Sequence, residues 1–242
     1  MPELTRGATT IHYEERGRGF PALCLAPGGM RSTVSAWQHA AVDPWSHYRT
    51  LRRIAMDQRN AGASRGPLPV SDPWGEYAAD QLAVLDHLGV DRFVVVGCCI
   101  GGSFILKLCS LAPERVLAAV LEQPIGVTAD NRSLFEAMRR GWATELLDAR
   151  PELAPGEMEA FLAAMWADDF VVSVPREEVA RCPVPLLVLP GIDDYHPTAV
   201  GREIAELAPR AELLEPWKDS PEHVAAATEA VERWLLDHVP TS

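Results

Sequence analysis

Short apolar runs bounded by turn formers punctuate the chain at residues 22–26, 92–96, 116–121 and 185–190. Continuous runs of this length, rich in Val and Leu, predict strands buried on both faces. Residues 9–16 are β-prone and end at Gly17-Arg18-Gly19, as a hairpin turn would; residues 48–56 and 211–215 hold two further strands. Between them the period changes. Tyr77, Ala78, Leu82, Leu85 and Leu88 make a helical stripe closed by Gly89, and Phe104, Ile105, Leu108 and Leu111 make another. Helices are predicted over residues 198–208 and 224–238 as well. Strands alternating with helices predict an α/β fold with a mostly parallel central sheet.

After Gly126 the alternation stops. From Asn131 to Val174 no strand-like run precedes a helix, and amphipathic stretches carry Trp142, Met158, Phe161, Met165, Trp166 and Phe170. This pattern predicts a helical lid at residues 126–182 inserted into a core formed by residues 1–125 and 183–242. Singly these large side chains read as helix packing. Together they would form a small apolar cover, which makes Trp142 and Trp166 candidates for contacting substrate.

Composition narrows the function. The chain has 242 residues, a net charge of −12 and no basic run, which argues against nucleic acid or an anionic membrane surface as partner. A neutral or weakly charged small molecule is the expected ligand, and a homodimer is left open. The first residues lack a basic region followed by an apolar core, so a cytoplasmic protein is expected. Five cysteines show neither CxxC nor Cys/His ligand spacing, so reduced thiols, no metal and no cofactor are expected. Cys24, Cys109 and Cys182 read as packing.

Chemistry concentrates at Val94-Val95-Val96-Gly97-Cys98-Cys99-Ile100-Gly101-Gly102. A Gly-x-Cys-x-Gly pentapeptide between a strand and a helix has the form of a nucleophile elbow, in which small residues two before and two after the nucleophile let strand and helix approach. That makes Cys99 the nucleophile. The Ile100 amide would open a helix and face a developing oxyanion. The glycines do not fit a dinucleotide fingerprint, and Lys107 lies too far into the helix for a P-loop. Pro27-Gly28-Gly29-Met30 follows a central strand, giving Gly29 as the second oxyanion donor and Met30 as pocket wall. Asp57 and Arg59 are expected to tie down their loop, and Cys98 to pack, with an oxidation-sensitive pair with Cys99 as the alternative.

With these pieces in order the chain resembles the α/β-hydrolase fold superfamily over essentially its full length. The matching stretches are Pro27-Gly28-Gly29, Asp57-Gln58-Arg59-Asn60-Ala61-Gly62, the elbow, Gly191-Ile192-Asp193-Asp194 after the penultimate strand, and His223 after the last. The resemblance implies a triad of Cys99, His223 as base and Asp194 as orienting carboxylate, with Glu122 as the alternative acid. His196, two residues beyond Asp194, is given a pocket role. Pro27 and Cys99 depart from the histidine and serine most members carry, and Cys-His-Asp is similar to the triad of dienelactone hydrolases. A thiol beside an imidazole and a helix N-terminus ionises far more readily than a hydroxyl. Its thioester must then be hydrolysed or passed on. The expectation is a cofactor-independent hydrolase of a small ester or lactone, with an acyltransferase, thioesterase or cyclase, or a non-catalytic binding protein, as alternatives.

Overall fold

Residues with two faces to bury settle into the middle of one sheet, and the positions of their strand ends define the site. The computed structural model describes residues 2–167 and 169–240. Its strands are β1 (Glu3–Arg6), β2 (Thr9–Arg16), β3 (Pro21–Leu25), β4 (Arg52–Met56), β5 (Phe93–Cys98), β6 (Val116–Glu122), β7 (Leu186–Leu189) and β8 (Ala211–Leu213). They form a single sheet in the order β1-β2-β4-β3-β5-β6-β7-β8. β2 runs antiparallel to β1 and β4; from β4 to β8 all neighbours are parallel.

The helices are α1 (Pro44–His47), α2 (Pro73–His87), α3 (Ile100–Leu111), α4 (Arg132–Ala149), α5 (Pro155–Met165), α6 (Arg176–Val179), α7 (Thr198–Leu207) and α8 (Pro221–Asp237). Side chains alternate across the strands. Leu23, Leu25, Val95, Leu121 and Val188 pack in one cluster with α2, α3 and α7, whereas Cys24, Val94, Val96, Val120 and Leu189 pack in the other with α1 and α8. Cys99 touches both clusters, at the seam between the layers.

Cα register explains why the loops converge. Leu25 pairs with Gly97, Gly97 with Leu121, Leu121 with Val188 and Val188 with Leu213. One row thus marks the carboxyl edge of five strands, and the chain leaves that row at residues 26, 98, 122, 189 and 214. Ligands of open parallel sheets bind at this edge.

Residues 126–182 carry α4, α5 and α6 and, among the described residues, no sheet strand. An isolated bridge between Val127 and Phe170 closes the base of this segment, and Ser103 Oγ on the elbow helix donates to Val171 O at 2.8 Å. Phe161 and Met165 are fully buried, each worth roughly 1.5–3 kcal/mol of apolar burial. Two predicted boundaries move. β8 ends at Leu213, and α8 begins at Pro221 rather than Val224, because Ser220 caps it: Ser220 Oγ accepts from His223 N at 3.2 Å. Among the described residues no helix is long and apolar enough to cross a membrane.

Candidate active site

Cys99 stands at φ 60°, ψ −119°, between β5 and α3. A non-glycine residue here is strained and is held only by its surroundings. Two of these restraints are visible: Cys99 N donates to Glu122 O at 3.0 Å, and Cys99 O accepts from Gly102 N at 3.1 Å. Gly97 has no room for a side chain, since a Cβ there would lie 2.6 Å from the Gly101 backbone. This contact lets the elbow helix start directly above the strand. At this end of α3 the Ile100 N–H donates to no other group among the described residues; neither does that of Gly29, in the loop after β3. Gly29, at φ 58°, opens the short helical turn Gly29–Arg31, and Met30 is buried behind it. Both donors expected at an oxyanion stand unspent.

The histidine beside the thiol is His196. Its Nδ1 lies 2.7 Å from Asp193 Oδ1, and that oxygen also accepts from the backbone N–H of Tyr195 (3.0 Å) and of His196 (3.1 Å). An Asx-type turn therefore fixes carboxylate and imidazole together. Gly191 is required for the approach: a Cβ there would fall 2.2 Å from His196 Cβ. Nδ1 being held by Asp193, the buried Nε2 has no hydrogen-bond partner, and the Cys99 thiol is near enough to act on the charge of the ring. Burial opposes charge on this ring, yet the Cys99 sulfur and the Asp193 carboxylate outweigh it and raise the imidazole above its usual pKa. Burial likewise opposes charge on Asp193, but the His196 contacts hold its carboxyl below the usual range. Aromatics brace this loop from above: Phe135 on α4 meets Tyr195 edge-on at 5.5 Å and Trp166 at 5.5 Å.

The pairing expected between His223 and Asp194 is not made. His223 lies in the first turn of α8, its amide spent on the Ser220 cap and its Nδ1 buried without a partner. Asp194 is exposed and turned to an outer depression beside Asp130; its backbone carbonyl accepts from Asn131 Nδ2 at 2.7 Å. The loop after β8, where the resemblance put the base, instead offers Trp217, whose Nε1 donates to Pro190 O at 2.7 Å, and Lys218, bonded to Gln123 Oε1. Glu122 does not replace the acid. It is fully buried with neither oxygen partnered, and burial pushes its carboxyl well above the carboxylate range. Cys98 is buried and its thiol is raised well above the usual range, first by burial and then by Glu122 and Cys99.

Met30 and Trp142 line a cavity between α4 and the loops after β3 and β4, and Trp142 stacks on Phe161 at 5.7 Å. Trp166 packs on Phe135, above the His196 loop. Asp57 and Arg59 are structural, as expected: Asp57 accepts from Val34 N and Ala63 N, and Arg59 is bonded to the buried Asp80 at 2.7 and 2.9 Å. Asp193, Phe135 and Tyr195 were missed. The signal for Asp193 was the Asp-x-x-His spacing, which a turn closes. Among the described residues no three His, Cys, Asp or Glu side chains are grouped to hold a metal ion.

A strained elbow, free amides at the strand edge and a covering helical segment are the marks of one class. The alpha/beta hydrolase fold family matches residues 21–183, and the chain belongs to that family. It is 31% identical over 131 residues to a 2-hydroxymuconate semialdehyde hydrolase of Pseudomonas putida, a match covering 52% of this chain and 46% of that protein. The chain spans about half the length of the curated relatives it matches. Among solved structures, Est816, described as an N-acyl homoserine lactone degrading enzyme, superposes with a TM-score of 0.70 at 22% identity, covering 98% of this chain and 100% of that one. The enol-lactonase of Burkholderia xenovorans LB400 gives 0.67 at 19% identity, covering 98% and 99%. At these identities the structural likeness concerns the fold.

Proposed function

We propose that the protein is a cofactor-independent hydrolase of small esters or lactones that works through an acyl-cysteine, with His196 and Asp193 completing the triad. One observation carries this reading: a single turn fixes Asp193 on one nitrogen of His196 and leaves the other buried and free, with the Cys99 thiol close enough to raise the ring's pKa. His196 Nε2 takes the thiol proton as sulfur attacks the carbonyl carbon, and Asp193 stabilises the imidazolium. The oxyanion accepts from the Gly29 and Ile100 amides. As the tetrahedral species collapses, the alkoxide leaves with the proton from His196. Water, losing a proton to the same nitrogen, then adds to the thioester; the acid departs and the thiol is restored. Relatives named for a semialdehyde hydrolase and for lactone-cleaving enzymes support a small carbonyl substrate.

Intact-mass spectrometry with a panel of activated esters, lactones and thioesters tests the proposal. A transient acyl mass on the wild type that is absent from Cys99→Ala is the expected result. Transfer of that acyl group to an added amine in preference to water would make the protein an acyltransferase. Neither adduct nor turnover across the panel would contradict the hydrolase reading and favour a binding protein.

A further inference from the structure

Two thiols outside the active site share one cavity. Cys109 lies in the last turn of α3, and Cys182 ends the segment 126–182 shortly before β7. Both are buried and neither is in a disulfide. Both line a cavity of about 350 Å³ between α3 and α6, whose apolar walls include Leu106, Pro113, Val174 and Val179.

The two chain segments are fastened beside this gap. Ser110, the residue after Cys109, donates from Oγ to Glu178 Oε2 on α6 at 2.6 Å. Cys182 N donates to Val179 O at 3.1 Å, so Cys182 is carried directly off the end of the helix that Ser110 holds. The thiols are near enough to act on each other's charge. Contact with Cys109 draws Cys182 below the usual thiol range although burial opposes it, and the same contact, with burial, pushes Cys109 well above that range. The members of the pair are therefore unequal: one sulfur ionises readily and the other keeps its proton. Sequence alone makes each of them packing; the fold makes them a pair.

We propose that Cys182 and Cys109 form a dithiol site that hydrogen peroxide oxidises to a disulfide. The cavity admits the oxidant to both sulfurs. The Cys182 thiolate attacks one peroxide oxygen, the O–O bond breaks, and the departing hydroxide takes up the proton that Cys182 lost on ionising, leaving as water. Cys182 is then a sulfenic acid. The Cys109 sulfur attacks it; the S–S bond forms, the S–O bond breaks, and hydroxide leaves with the Cys109 proton as a second water. Two thiols give up two electrons and one peroxide bond is reduced. The new bond joins the last residue of the lid segment to the helix that starts at Ile100. No step uses Cys99, so the site is independent of the hydrolase reading.

Peptide mapping of the full chain tests this. Wild type and Cys99→Ala are treated with hydrogen peroxide, denatured, alkylated and digested without reductant. The expected product from both is a pair of peptides joined through Cys109 and Cys182, which separates on adding dithiothreitol. Cys24, whose thiol burial pushes up, is the internal control and should stay reduced. With dimedone present, Cys109→Ser is expected to carry the label at Cys182, because the sulfenic acid has lost its resolving partner; Cys182→Ser is expected to keep Cys109 reduced at the same dose. Recovery of both cysteines as free thiols from the wild type, whatever becomes of Cys99, overturns the site. Dimedone on Cys109 in Cys182→Ser, with none on Cys182 in Cys109→Ser, contradicts the assignment of Cys182 as the attacking sulfur.

Discussion

The two loops that leave adjacent strands β7 and β8 each carry a histidine, and the fold holds the two in different ways. The β7 loop folds back on Gly191 and closes an Asx turn in which Asp193 holds the His196 ring. The β8 loop is drawn into helix capping: Ser220 holds the His223 amide, and the imidazole becomes part of the first turn of α8. Both loops are anchored at the same strand edge, and Trp217 Nε1 bonds them together through Pro190 O. Strand order places both histidines on loops at the carboxyl edge of the sheet; the local turn decides what each ring is bonded to.

The sharpest break between the loops is between their histidines. His196→Ala should lower kcat/KM for an activated ester by roughly 10²–10⁴-fold, the usual range for a positioned general base. His223→Ala should stay within about threefold, since the His223 ring makes no hydrogen bond among the described residues. Next come the neighbouring carboxylates. Asp193→Asn should cost about tenfold or more in kcat/KM and lower the pKa of His196, read by NMR, because the partner that raises it is neutralised. Asp194→Asn should alter neither.

Gly191→Ala tests the fold-back itself. Its Cβ would meet His196 Cβ at 2.2 Å, so the turn must shift, at a cost of about 1–3 kcal/mol seen as a lower Tm and a weakened reaction together. The mildest effect belongs to Glu122, under the elbow. Its folded pKa is raised, so above the ordinary carboxylate range the folded state holds a proton that the unfolded state has lost. Stability should therefore decline as pH rises from that range toward the raised value, with a slope of at most about 1.4 kcal/mol per pH unit. Glu122→Gln should flatten that slope in denaturant titrations across pH.

Much of the architecture is legible in the chain. Val94, Val95 and Val96 before a glycine, followed by the Phe104–Leu108 stripe, specify strand, elbow and helix because burial on both faces permits little else. Gly29 and Ile100 follow from that topology. The histidine and the acid do not. Asp193 and Asp194 are adjacent and identical, and only a hydrogen-bonded turn distinguishes them. Two residues from Asp194, His196 invites a pocket role; the Asp-x-x-His spacing that closes a turn on Asp193 is what the fold uses instead. His223 was attractive by chain order, yet Ser220-Pro221 is a helix start that claims it. The residues around the cavity of Met30 and Trp142 are unreadable for a different reason: they are scattered through the sequence and meet only when α4 covers the turn after β4.

The pairing of Cys99 with His196 is tested most directly by NMR titration of the histidine side chains in wild type and Cys99→Ala. In the wild type His196 should titrate above the ordinary imidazole range. Removing the sulfur should bring its pKa down. If His196 titrates identically in the two proteins, the sulfur does not act on this ring and the pairing of Cys99 with His196 is contradicted.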